Sequence, residues 1–411
     1  MVEFIFSPQQ RQARRGPYFL TTNRQEANVK IILALTLIHF IGDFYNSFII
    51  PLLPLFIDKF ALTLAQAGLV TGLSRFLAFV VQPPVGYLAD RYPSRFFALG
   101  GPLLVMVFIP LTGITSYFWM LVLFVCLGSV GSSMFHPTAA GMVEPYAGRH
   151  FGLAMSIFGT GGTLSFAIGP LFISWLVGKY GLSITPYSMI LGFAVLAFLF
   201  KTVPAPQASN IKSRGFIDSF KEIFGPVWLP IVLILLVMTL RAFVSQSFMT
   251  FLPVMVARQG YSLVAIGALV SLFTVAGAPS GLLAGHLSDR IGFRPILMSA
   301  LLLATPNMLA LLYLPGNWIF LFAFLAGFFI MAPLPLGVAL AQKLAPQGKS
   351  MASSLMMGLA VGMGGLLTPL TGKLADIFTI QPVLAVLAII PLLTAVLIYF
   401  LFKKEPSPAG N

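Results

Sequence analysis

Along this chain apolar residues gather into long blocks, each ended by a short stretch rich in charge, proline or glycine. The blocks fall near residues 30–56, 64–89, 95–115, 118–143, 150–178, 184–203, 227–256, 263–288, 295–314, 318–341, 350–375 and 380–402. A helix that crosses a bilayer needs roughly 20 mostly apolar residues. Lipid offers the backbone no hydrogen-bond partner, so each block predicts one transmembrane helix. The twelve helices form two groups of six, a bundle at 29–203 and a second at 227–403, joined by a polar linker at 204–226. Lys212, Arg214, Asp218, Lys221 and Glu222 in that linker predict a short amphipathic helix at the cytoplasmic surface. Residues 1–28 carry Arg11, Arg14, Arg15 and Arg24 but no apolar core before a small-residue cleavage site. They predict a disordered cytoplasmic leader, not a secretory signal. Residues 404–411 predict a disordered tail.

Composition narrows the class to an all-α membrane protein. Only 9% of the 411 residues are charged and 58% are hydrophobic, which leaves no room for a separate soluble enzyme domain. The net charge of +13 comes from short clusters between apolar blocks, a pattern of membrane orientation and not of nucleic-acid binding. Lys59, Lys179, Arg258 and Lys373 fall on one side, Arg75 and Arg241 lie within spans, and all other Lys and Arg fall on the opposite side. Positive charge is retained in the cytoplasm, so both termini are expected there. The single cysteine, Cys126, excludes an internal disulfide and a thiolate metal site.

An internal repeat points to the architecture. Gly86-Tyr-Leu-Ala-Asp90-Arg91-Tyr-Pro-Ser-Arg95 returns 199 residues later as Gly285-His-Leu-Ser-Asp289-Arg290-Ile-Gly-Phe-Arg294, each copy following the second span of its group. Ser47-Phe48 likewise matches Ser247-Phe248, and Pro54 matches Pro253. Two parallel six-helix repeats around a midplane site describe an alternating-access transporter. The motif G-x-L-x-D-R-x-x-x-R resembles the loop signature of the major facilitator superfamily. Gly131-Ser-Ser-Met-Phe135-His136-Pro137 and the stretch from Gly148-Arg149-His150 to Gly162 resemble the fourth and fifth helices of fosmidomycin resistance type exporters. The first loop departs from the superfamily at Pro93, and Ser165 stands where a glycine is expected. The resemblance implies an inner-membrane, proton-driven drug exporter and leaves its substrate open.

Charges inside spans carry the candidate chemistry, because an ionisable group at the bilayer centre costs roughly 2.5 to 3.5 kcal/mol and is kept for pairing or function. At 1.5 Å per residue, Asp43 lies roughly 20 Å above Lys30 and Arg241 roughly 22 Å above Pro226. Arg75 reaches a similar depth on the second span. His39, Asp43 and Asn46 follow at i, i+4 and i+7 and share one polar helix face. Asp43 is the candidate proton-coupling carboxylate, with His39 as partner; the alternative is a structural ion pair of Asp43 with Arg75 or Arg241. Arg241 and Arg75 are candidate anchors for an anionic substrate, since guanidinium donors match a phosphonate or carboxylate. Tyr45, Asn46, His136 and Gln246 complete the candidate substrate site. Phe44, Tyr45, Phe48, Phe243 and Phe248 are candidates for its apolar wall, with ordinary packing or lipid contact the favoured reading of each. His136 stands before Pro137, which frees a backbone carbonyl that the imidazole could satisfy.

Asp90, Arg91 and Arg95, with Asp289, Arg290 and Arg294, are the candidate gate. Asp90 would face the start of the eleventh helix and Asp289 that of the fifth, where helix dipoles are positive. The glycines of the fifth and eleventh spans predict close helix approach, since no strand precedes them as in a nucleotide-binding loop. The expectation is a secondary transporter with no cofactor, a small-molecule substrate and protons as partners, the lipid bilayer around it, and a monomeric state. Proton antiport with export is favoured. A symporter importing an organic anion and a non-transporting receptor or assembly protein stand as alternatives.

Overall fold

As a computed structural model the protein is described over residues 27–91, 95–148, 150–204, 221 and 223–402. Most of the leader, linker residues 205–220, Arg149 and the tail lie outside the described residues. Within them twelve helices are long and apolar enough to cross a membrane. They are α1 (Val29–Phe60), α2 (Leu64–Arg91), α3 (Phe96–Ile114), α4 (Phe118–Tyr146), α5 (Phe151–Tyr180) and α6 (Leu182–Leu199). Then follow α7 (Gly225–Arg258), α8 (Leu263–Ile291), α9 (Phe293–Tyr313), α10 (Trp318–Leu344), α11 (Met351–Phe378) and α12 (Ile380–Tyr399). Several helices outrun their apolar blocks. α1 continues through Asp58 and Lys59 and stops where Ala61 turns left-handed at φ 48°. Hydropathy marks the part in lipid, whereas hydrogen bonding carries the helix on into water.

Proline explains the interruptions. Pro51, Pro279, Pro335 and Pro369 each lack the N–H that would reach the carbonyl four residues back. Their helices break just upstream, at Ser47–Phe48, Ala276, Ala332 and Leu367. The break in α1 follows directly on the His39-to-Asn46 face. In α11 a single π-helical turn, Leu355–Leu359, offsets the register; such turns gather at functional sites.

Helices from the first six pack against helices from the last six along two seams, α2 on α11 and α5 on α8. Backbones meet closely there because side chains are missing. A methyl group on Gly68 would lie 2.8 Å from the Thr368 carbonyl oxygen, and one on Gly267 would lie 2.6 Å from that of Pro170. Polar contacts lock the same region: Thr71 and Thr250 hydroxyls lie 3.0 Å apart, and Thr274 Oγ1 donates to the Phe166 carbonyl at 3.1 Å. The Asp376 carboxylate of α11 accepts from the backbone N–H groups of Leu64 (2.8 Å) and Ala65 (3.0 Å), capping α2. These contacts lie on the half of the bundle away from the chain termini.

Candidate functional site

On α1 the spacing of His39 and Asp43 places both side chains over one turn, and the structure joins them at 3.2 Å (Nε2 to Oδ2). α4 brings in His136, whose Nε2 lies 3.2 Å from Asp43 Oδ1 and 3.3 Å from Oδ2. Asp43 is buried. Each imidazole is fixed from behind: His39 Nδ1 lies 2.9 Å from the Phe158 carbonyl oxygen and His136 Nδ1 lies 2.7 Å from that of Ser132. His39 also stacks on Phe158 with ring centres 4.3 Å apart. Gly162 of α5 leaves room for this, since a methyl group there would sit 2.5 Å from His39 Nε2 and 3.1 Å from Asp43 Oδ2.

The cluster forms one wall of a cavity of about 190 Å³ between α1, α2, α4, α5 and α11. Asn46 stands beside Asp43, while α2 contributes Ser74, Arg75, Phe79 and Gln82, and α4 contributes Ser129, Ser132 and His136. Phe166 of α5 and Met357, Gly358 and Val361 of α11 close it, the first two of these α11 residues lying on the π-helical turn. A smaller recess of about 20 Å³, enough for a water molecule, shares Asn46, Ser74 and Arg75 and reaches Gln246.

Of the residues singled out in the sequence, Asp43, Asn46, Arg75 and His136 are brought together around one cavity, with His39 behind Asp43 and Gln246 in the adjoining recess. Other expectations need correction. Tyr45 is turned away: its hydroxyl donates to the Ser188 carbonyl at 2.5 Å and accepts from the Gly192 N–H at 2.9 Å, tying α1 to α6. Arg241 lines neither space. α7 rotates it toward α10, where it donates to the Ile330 carbonyl at 3.1 Å and leaves Nε without a partner. Asp43 is paired with two histidines and, among the described residues, with neither arginine. Phe44, Phe48, Phe243 and Phe248 are core residues, the ordinary packing favoured for each of them, and Phe79 and Phe166 supply the aromatic wall. Helical spacing carried a signal for the rest. Arg75, Phe79 and Gln82 follow at i, i+4 and i+7, as do Ser129, Ser132 and His136 at i, i+3 and i+7.

Of the gate residues, the side chains of Asp90 and Arg91 lie outside those described. Asp289 and Arg290 are exposed at the end of α8, and among the described residues Asp289 has no hydrogen bond or ion pair. Arg95 donates to the Phe200 carbonyl at 3.4 Å, and Arg294 lies over the Tyr399 ring at 5.0 Å. Among the described residues, Asp289 makes no hydrogen bond or ion pair with the start of α5, and Arg149 lies outside them.

The ligand atoms of His39, Asp43 and His136 all lie within 4.8 Å of one another, near enough to hold a metal ion. Arg75 faces the same cavity, and its positive charge opposes a divalent cation there. A proton on each imidazole–carboxylate contact satisfies the same geometry, and protons can be added one at a time.

A helical membrane protein with a polar cavity deep between its spans, reached by a buried carboxylate and a guanidinium, has the build of a small-molecule transporter. The sequence profile of the Major Facilitator Superfamily matches residues 35–355 and, in a second match, 234–411. The chain belongs to that superfamily, whose members are transporters and not enzymes. It is 26% identical over 385 residues to the fosmidomycin resistance protein of Escherichia coli (strain K12), covering 92% of this chain and 94% of that one. The multidrug resistance protein MdtG of Salmonella paratyphi C is 28% identical over 291 residues, 66% of this chain and 70% of that one. Among solved structures, a bacterial homologue of the human lysosomal transporter Spinster, inward-facing and unoccupied, superposes with a TM-score of 0.79 at 18% identity. That alignment covers 94% of this chain and all of that one. The nucleoside transporter NupG gives 0.72 at 16% identity, over 92% of this chain and all of that one. These structural likenesses establish the shared fold.

Proposed function

We propose that this transporter exports a small drug-like compound in exchange for protons, by alternating access between two six-helix repeats at 29–203 and 227–403. It sits as a monomer in the inner membrane with both termini in the cytoplasm. The observation that carries the reading is Asp43, buried between two imidazoles on the wall of the cavity that also holds Arg75. A carboxylate there changes the charge of the cavity wall each time it gains or loses a proton. A neutral or cationic compound that donates hydrogen bonds to this wall competes with the proton, and competition for one site is exchange. The names of the resistance proteins similar to this chain support export as the direction.

The Arg75 guanidinium favours a second reading. An anion such as a phosphonate is held by Arg75, assisted by Asn46, Gln246 and the serine hydroxyls, and is held better when the cluster is protonated. Protons and anion would then travel together, as in a symporter. Arg241, buried and with a free Nε, is an anion anchor only if the opposite conformation turns it to the cavity. In both readings Asp90, Arg91 and Arg95, with Asp289, Arg290 and Arg294, close the cytoplasmic side when the far seams open.

Proteoliposomes holding a pH-sensitive dye test this directly, with fosmidomycin and ethidium as probes. Exchange predicts that protons move opposite to the compound, and symport predicts the same direction. Compound flux with no proton movement contradicts both.

A further inference from the structure

The two histidines are held so that the cluster has room for two protons, not one. His39 Nδ1 faces the Phe158 carbonyl oxygen at 2.9 Å, and His136 Nδ1 faces that of Ser132 at 2.7 Å. A carbonyl oxygen only accepts, so each Nδ1 carries a hydrogen. A neutral imidazole has one N–H, which leaves each Nε2 a bare acceptor. Both bare atoms point at Asp43, and an ionised carboxylate also only accepts. The two Nε2–oxygen contacts, each 3.2 Å, are then repulsive acceptor pairs in a buried place. One proton on each contact converts it into a charge-assisted hydrogen bond.

We propose that His39, Asp43 and His136 form a two-proton carrier in which His136 is the second proton-bearing residue and its entry point. The proposal rests on Asp43 being the coupling carboxylate and adds the proton count and the path. The His136 side chain is 30% exposed, against 12% for His39 and 5% for Asp43, so cavity water meets His136 first. His39 is closed in by Phe158 and Gly162 and exchanges through Asp43. Each proton comes from water to an Nε2–carboxylate contact and returns to water, and no other bond is made or broken.

The surroundings set the charge balance. α2 presents Arg75 to the cavity, α5 presents the Phe158 carbonyl and Gly162, and α11 presents the uncharged Met357, Gly358 and Val361. The bare cluster, with its single negative charge, balances Arg75, and the doubly loaded cluster adds one positive charge to it. The same cavity thus alternates between neutral and strongly cationic, a swing that a single-carboxylate carrier does not reach.

The chain has four histidines, His39, His136, His150 and His286, which makes nitrogen-15 NMR of the histidine-labelled full chain in lipid nanodiscs practicable. Signals are assigned from His39→Gln and His136→Gln. In the unloaded cluster both histidines are expected as Nδ1–H tautomers with bare Nε2, and in the loaded cluster both are expected as imidazolium. In ethidium transport, His136→Gln is expected to lower the proton-to-ethidium ratio from about two to about one. An Nε2–H tautomer at either histidine in alkali, or protonation of only one of them, overturns the two-proton carrier. If Asp43→Asn still abolishes proton-driven transport in that case, the coupling role of Asp43 survives and only the count falls. Normal coupling in Asp43→Asn overturns both.

Discussion

The Asp376 carboxylate accepts two backbone hydrogen bonds, from Leu64 and Ala65, and so ties the end of α11 away from the termini to the first turn of α2, 312 and 311 residues earlier in the chain. Among the described residues α8 has no such cap from the other group at its seam, and its own Ser262 accepts from the Ala265 N–H. Among the described residues, closure of the side away from the termini thus has one cap that spans the two groups of helices, and the proposed alternating access would break it each time that side opens.

Asp376→Ala removes a cap worth about 1 kcal/mol, roughly a fivefold change in the balance of states. Spin labels at Thr63 and Ile377, in a chain with Cys126 replaced by Ser, should report a longer separation in this variant. An unchanged distance distribution would show that the cap does not hold the seam.

Gly162→Ala places a methyl group 2.5 Å from His39 Nε2 and displaces the imidazole from Asp43. Overpacking of this kind costs about 1–3 kcal/mol. Proton-driven transport should fall about fivefold to a hundredfold by the same arithmetic. Gly159, one turn away, has nothing within 4 Å of an added methyl, so Gly159→Ala is the matched control and should transport normally.

Tyr45→Phe separates packing from recognition. Losing a buried hydroxyl that satisfies both the Ser188 carbonyl and the Gly192 N–H costs about 1–3 kcal/mol. The variant should melt at lower temperature in detergent while its KM for a transported compound stays unchanged. A raised KM with unaltered stability would return Tyr45 to the substrate site.

Arg75→Gln keeps hydrogen-bonding capacity but removes the charge that faces the cavity. Binding of fosmidomycin should weaken about tenfold or more, as expected for loss of a charge-assisted contact. Ethidium binding should hold or improve. Equal losses for both probes would mean that Arg75 supports the cavity walls instead of reading charge.

Helix positions were legible in the sequence because a bilayer demands an uninterrupted apolar length, a requirement that each block displays without reference to any other. His39 and Asp43 were legible for a related reason, as one helix fixes their spacing. The link from Asp43 to His136 was not, since the rotation of α4 against α1 depends on packing at Gly42, Gly101 and Phe135, which no single helix reveals. The same limit separates the two arginines. Depth follows from counting residues and placed Arg75 and Arg241 alike, but rotation sends one into the cavity and the other toward Ile330. Tyr45 misled for this reason too: two residues after Asp43, it points to the opposite side of α1 and faces α6.

The coupling role of Asp43 is tested most directly by comparing two modes of transport in Asp43→Asn proteoliposomes. Counterflow of ethidium against ethidium needs the substrate cavity but no net proton movement, whereas uphill transport under an imposed pH gradient needs both. The account predicts that Asp43→Asn retains counterflow and loses uphill transport. Retention of uphill transport by the asparagine variant would contradict it.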